Sequence, residues 1–184
     1  LPGPAREMHP MFEQLVVPKL QAEGVFPEID CYLQLRTAGI GESALAEKVE
    51  PMLKDKPGLV VGYCAHAGMV DLRLSSLDSD ILSEEELHKI GDDCRKELGE
   101  DFACFGERSL AEIIFRELRS LDKTLAIAES CTGGLLSSHF TEIPGISKVF
   151  QGGAVCYHND AKVQMLDVPE SMLEQHGAVS EEVA

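Results

Sequence analysis

Tryptophan is absent from this 184-residue sequence, and aromatic residues make up only 5% of it. Basic residues are scarce as well: 16 Lys and Arg stand against 32 Asp and Glu, a formal net charge of −16. Phosphate backbones are held by clustered Lys and Arg, so nucleic acid is excluded as an expected partner. Long hydrophobic runs are missing, because charge interrupts every apolar stretch within about ten residues, against the roughly 20 that a spanning helix needs. No membrane partner is expected. There is no basic segment followed by an apolar one of signal-peptide type, which leaves the cytoplasm as the expected location. The six cysteines, at 31, 64, 94, 104, 131 and 156, include no Cys-x-x-Cys pair. The six histidines include no His-x-x-x-His pair. A protein-built zinc site is therefore disfavoured, and the thiols read as free in a reducing compartment.

What the chain does contain is enough apolar material, 44% of its residues, to bury a core in one to two units. After the turn-forming Leu1-Pro2-Gly3-Pro4, residues Met8, Met11, Phe12, Leu15 and Val16 recur at helical spacing and predict an apolar stripe. Pro18 is expected to limit that helix, with residues 19–30 as a connector. Strands are predicted at about 31–37, 59–64 and 69–75, and a helix at 42–53 with Leu45, Val49, Met52 and Leu53 inward. In the third strand Val70, Leu72 and Leu74 alternate with Met69, Asp71 and Arg73, which predicts one buried and one wet face. Ser83 and Glu86 have capping-box spacing before a helix reaching about Leu98, with Gly99 as its stop. Residues 31–105 thus read as a β-α-β-β-α-β two-layer unit. A nucleic-acid clamp of KH type needs a Gly-x-x-Gly loop with basic neighbours, whereas the close glycine pair here is Gly39-Ile40-Gly41 followed by Glu42. A structural spacer fits this unit better.

A second capping box, Ser109 to Glu112, opens a helix that leads into a short strand from Thr124 to Ala128. Ser130-Cys131-Thr132-Gly133-Gly134 then turns the chain into another helix reaching Phe140 or Glu142. A strand from Val149 to Tyr157, helices at 159–166 and 169–176, and Ser180 as the cap of a further helix complete the pattern. This is a layered α/β domain beginning near Glu107. The chain lacks an initial Met and stops just after Ser180, so a longer parent protein is expected.

The turn at Ser130 is the most chemically suggestive stretch. A strand-to-helix turn gathers unpaired N–H groups and the positive end of a helix dipole, which stabilise an anion or a developing oxyanion. Serine is equally a common helix N-cap, so the residues alone leave both roles open. Ser120 and Lys123 form a Ser-x-x-Lys pattern, but at a helix end, where the dipole gives no help. Lys162 is the better base, with Tyr157 as a proton relay, provided that their strand lies beside the one ending at Ser130. The alternative is an exposed helical lysine and a packed tyrosine.

Four stretches occur in one order: 128–134 (Ala-Glu-Ser-Cys-Thr-Gly-Gly), Pro144-Gly145, 152–162 (from Gly152-Gly153 through Tyr157 to Lys162), and 176–184 (from His176-Gly177 through Ser180 to Ala184). Together they closely resemble the C-terminal domain of the bacterial CinA (competence/damage-inducible protein) family. In that family this domain is a nicotinamide mononucleotide deamidase, which releases ammonia from the carboxamide in pyridine nucleotide recycling. The resemblance implies Ser130 as nucleophile or water-activating group, Lys162 as base and Tyr157 as relay. It also implies that Thr132, Gly133, Gly134, Asn159 and Ser180 contribute to the nucleotide pocket, with no metal or other cofactor in the deamidation. The same resemblance implies three parts: residues 1–30 as the tail of a molybdopterin-binding-like domain plus connector, 31–106 as a KH-like α/β connector domain, and 107–184 as an incomplete deamidase domain. A homodimer is the expected assembly.

Two other functions compete with this one. The family's first domain is associated with a divalent-metal-dependent ADP-ribose pyrophosphatase, whose site would lie almost wholly upstream of Leu1. The unit at 31–106 is otherwise a connector and oligomerisation segment.

Overall fold

In a computed structural model, residues 4–25 and 31–184 are described, and they divide at Glu107/Arg108 into two compact units. The expected extended piece at 26–30 lies outside the described residues.

The first unit opens with a helical run: α1 (Ala5–Met11), a π-helical turn (Phe12–Val16) and α2 (Val17–Ala22). Pro18 was expected to stop the helix and does not. It sits in the first turn of α2, where its missing N–H is no loss, and the π-turn before it absorbs the change of hydrogen-bond spacing. The expected apolar stripe is not buried here, since Phe12 and Leu15 are exposed.

The rest of this unit has the order β1 (Cys31–Ala38), α3 (Glu42–Leu53), β2 (Leu59–His66), β3 (Met69–Ser76), α4 (Glu84–Leu98) and β4 (Phe102–Phe105). This is the expected β-α-β-β-α-β succession. The strands lie in the order β2-β3-β1-β4, every neighbouring pair antiparallel. Leu33 and Leu35 of β1, Val70, Leu72 and Leu74 of β3, Leu45, Val49 and Leu53 of α3, and Leu87, Ile90, Cys94 and Leu98 of α4 share one core. Each such side chain contributes about 1.5–3 kcal/mol by leaving water. Ser83 and Glu86 cap α4 reciprocally, as their spacing predicts.

The other face of the sheet departs from the wet face expected. Asp71 is only 1% exposed. It lies directly across from Arg36, whose guanidinium donates to both carboxylate oxygens at 2.7 and 2.8 Å. Arg36 also donates to the Glu107 carbonyl, and His66 Nε2 lies 3.0 Å from Asp71. The Arg36 hydrogen bond holds the Asp71 carboxyl below its ordinary range, against the opposing effect of burial and with help from His66.

The second unit comprises α5 (Leu110–Ser120), β5 (Leu125–Glu129), α6 (Leu135–Thr141), β6 (Phe150–Val155), α7 (Asn159–Leu166) and α8 (Glu170–His176). Ser109 and Glu112 form the expected capping box of α5. β5 and β6 pair in parallel, as a strand-helix-strand crossover requires. Phe140 stacks on Phe150 at 6.0 Å, and Phe140, Ile146, Val149 and Cys156 are buried. Gly153 serves β6 by its size: a Cβ there would collide with Ser137 Oγ on α6. Residues 181–183 form a turn rather than the helix expected after Ser180.

Candidate active site

In parallel α/β sheets, ligands bind beyond the carboxyl ends of the strands. Ser130 directly follows β5 and Cys156 directly follows β6, which places both at that end of the sheet. Lys162, one turn into α7, lies on the same side. Ser130 and Lys162 line one cavity of about 330 Å³, together with Glu129, Cys131, Cys156 and Ser180. Apolar side chains, among them Leu166, Val168 and Val179, form much of its wall.

Lys162 is 6% exposed, and its Nζ donates to the Tyr157 carbonyl at 3.1 Å. No carboxylate pairs with it among the described residues. It is therefore a buried amine on the wall of the cavity that Ser130 also lines, not the solvated lysine of an ordinary helix surface.

The other expected site residues are placed differently. The Tyr157 side chain is 70% exposed and is not among the cavity walls; its main chain, not its phenol, reaches Lys162. Asn159 lines a separate shallow groove with Asp160 and Glu170. Ser180 lines the Ser130 cavity, but its hydroxyl donates to the Gly177 carbonyl instead of capping a helix. Gly133 and Gly134 take positive φ values of 60° and 101°, which other residues adopt only with strain. Thr132 Oγ1 donates to Glu129 Oε2 at 2.8 Å.

That last contact belongs to a group that the sequence reading passed over. The Glu129 carboxylate accepts from the backbone N–H groups of Gly134, Leu136 and Ser137 at 3.1, 2.9 and 2.8 Å, and from the hydroxyls of Thr132 and Ser137. Burial opposes its charge, yet the hydrogen bonds from Ser137, Thr132 and Leu136 outweigh that effect and pull its pKa down to about 2. The free helix dipole expected at Ser130 is therefore corrected. α6 begins only at Leu135, and a carboxylate from the chain itself already occupies its N-terminus. Ser120, the serine of the Ser-x-x-Lys pattern, spends its hydroxyl on the Glu117 carbonyl at the end of α5. Among the described residues no group of three or more His, Cys, Asp or Glu is placed to hold a metal ion.

A two-layer antiparallel unit and a parallel α/β unit with a serine and an enclosed lysine at its strand ends define a mixed α/β protein with a small-molecule-sized cavity. Residues 34–103 match the family description "Damage-inducible protein CinA KH domain", and residues 107–184 match "CinA C-terminal domain". The chain belongs to the CinA family. It is 38% identical over 187 residues to the CinA-like protein of Dictyoglomus thermophilum, and 41% identical over 184 residues to that of Nostoc punctiforme. Each alignment covers 100% of this chain and 44% of the relative, so the chain spans less than half the length of these relatives. Among solved structures, the competence/damage inducible protein CihA from Agrobacterium tumefaciens is 44% identical over 40% of this chain and 45% of its own, with a TM-score of 0.39.

Proposed function

We propose that the parent protein hydrolyses the carboxamide of nicotinamide mononucleotide to nicotinate mononucleotide and ammonia at the Ser130 site. The observation that carries this reading is that Ser130 and a buried, carboxylate-free Lys162 line one cavity at the carboxyl ends of β5 and β6. The family resemblance supplies the substrate.

In this reading Lys162 Nζ accepts the Ser130 hydroxyl proton as Oγ bonds to the amide carbon. The carbonyl π electrons move to oxygen, giving a tetrahedral oxyanion. Its collapse breaks the carbon–nitrogen bond, and the proton on Lys162 passes to the departing nitrogen, which leaves as ammonia. Water, deprotonated by Lys162, then cleaves the ester, and its proton returns to Ser130. The Tyr157 carbonyl aims the amine. The proposal retains the Tyr157 phenol, which lies outside the cavity wall, as the relay. Thr132, Gly133 and Gly134 shape the turn, while Ser180 is the remaining pocket contact on the cavity wall. The proposal includes a nucleotide substrate, no metal in this step, a cytoplasmic setting and a homodimeric parent.

Ammonia release from nicotinamide mononucleotide by the full-length parent is the test. Ser130→Ala is expected to lower kcat by about 10³-fold or more with an unchanged circular dichroism spectrum. Turnover retained by that variant removes the serine from the reaction.

A further inference from the structure

The five hydrogen bonds on Glu129 decide which donors remain for chemistry at Ser130. Gly134, Leu136 and Ser137 give their N–H groups to that carboxylate, and the Leu135 N–H goes to the Thr132 carbonyl. The Ser138 N–H already closes the first turn of α6 on the Gly134 carbonyl. Nothing at the start of α6 is left to donate. Within the turn itself the Gly133 N–H bonds the Ser130 carbonyl, whereas the N–H groups of Cys131 and Thr132 have no acceptor among the described residues. These are the two amides that immediately follow the serine.

We propose that Glu129 is a positioning residue: by engaging the start of α6 and the hydroxyls of Thr132 and Ser137, it fixes the turn so that the N–H groups of Cys131 and Thr132 receive the oxyanion formed at Ser130. The inference rests on the deamidase reading and adds to it the donors of the oxyanion site and the group that holds them. The carboxylate does not touch the substrate. Its charge is spread over five donors, and it acts through the turn it braces. Gly153 belongs to the same device, because it leaves the room in which Ser137 reaches Glu129.

Glu129→Gln tests the device sharply. Oε1 faces the N–H and hydroxyl of Ser137, while Oε2 faces the N–H groups of Gly134 and Leu136 and the hydroxyl of Thr132. Either orientation of an amide turns its NH2 group against at least one backbone N–H, which cannot reverse its role. In the full-length parent, kcat for deamidation is expected to fall by about 10²-fold or more, with KM within about threefold of wild type, because the lost interaction forms only in the transition state. Thr132→Val, which removes one side-chain bond and keeps all three backbone bonds, is expected to lower kcat by several-fold with the same unchanged KM. It serves as the reporter if Glu129→Gln does not fold. Wild-type turnover with kcat unchanged in the folded variants overturns the positioning role and leaves the deamidase reading standing. A rise in KM at unchanged kcat also overturns it, by making Glu129 a substrate-binding group. Absence of ammonia from the wild-type protein overturns the deamidase reading and this inference together.

Discussion

Arg36→Met is the most quantitative perturbation that the KH-like unit offers. Asp71 is 1% exposed and the Arg36 side chain 11%, so both charges have largely left water. Removing the guanidinium strands the carboxylate, and breaking a buried pair in this way costs about 3–5 kcal/mol. His66 Nε2 remains 3.0 Å from Asp71, so the carboxylate keeps one polar partner, which holds the loss near the lower end, about 3 kcal/mol. Arg36→Met also frees the Glu107 carbonyl, which lies at the end of this unit and finds water in its place. The double variant Arg36→Met/Asp71→Leu removes both desolvated charges and replaces them with apolar volume. Such replacements are often neutral or stabilising, so its stability is expected within about 1 kcal/mol of wild type. The two single losses are therefore strongly non-additive. With no tryptophan in the sequence, urea unfolding is best followed by far-UV circular dichroism, with amide exchange on β1 and β3 assigning the loss to this unit. A loss below about 1 kcal/mol for Arg36→Met, or a double variant that loses the sum of the single effects, refutes the view that the pair is buried and mutually dependent.

Two further outcomes follow from the same physical picture. Gly153→Ala relieves a strand glycine, worth about 0.5–1 kcal/mol, but overpacks against Ser137 at a cost of about 1–3 kcal/mol. The net effect is a loss of up to about 2.5 kcal/mol, and it should shrink when Gly153→Ala is measured in a Ser137→Gly background; the same loss in both backgrounds contradicts the close approach of Ser137 to Gly153. Acid titration has a definite sign, since the folded pKa values of Asp71 and Glu129 both lie below their ordinary values of 3.8 and 4.5. Their contributions are fully present above those ordinary values and are lost as pH falls below them, for Glu129 over the interval from 4.5 to about 2. Thermal unfolding between pH 6 and about 2 should show this loss, and Glu129→Gln should flatten it; an equal acid slope in that variant removes Glu129 from the account.

The sequence made legible whatever is decided within a few residues. Ser83 with Glu86 and Ser109 with Glu112 form capping boxes because both partners sit three positions apart on a single turn. The strand β3 follows from period-two alternation, and α3 and α4 from apolar residues three and four apart. Alternation alone cannot show that Asp71 meets Arg36, because the two are 35 positions apart and only the β1–β3 register joins them. Pro18 misled for a related reason: a proline stops a helix only where an N–H is required, and the π-turn ahead of α2 removes that requirement. The meeting of Lys162 with Ser130 likewise depends on the parallel pairing of β5 with β6, a condition that the spacing of the residues states but cannot fulfil.

Glu129 is the instructive omission, because a signal for it was present. The N-cap of α6 is Gly134 in a left-handed conformation, and glycine has no side chain with which to accept the first N–H groups of the helix. A helix start of that kind, packed against a strand, needs an acceptor from elsewhere in the chain. The nearest acidic residue upstream is Glu129, the last residue of β5. From the end of the strand its side chain spans the turn that it encloses, so the glycines that let the chain double back also bring the helix within reach of the carboxylate. The N–H groups that open α6 after Ser130-Cys131-Thr132-Gly133-Gly134 are thus satisfied from within the chain and do not await a ligand. Once Glu129 is included, the amides of this turn left without an acceptor among the described residues are those of Cys131 and Thr132, the two that follow Ser130, and these are the donors on which the proposed oxyanion site rests.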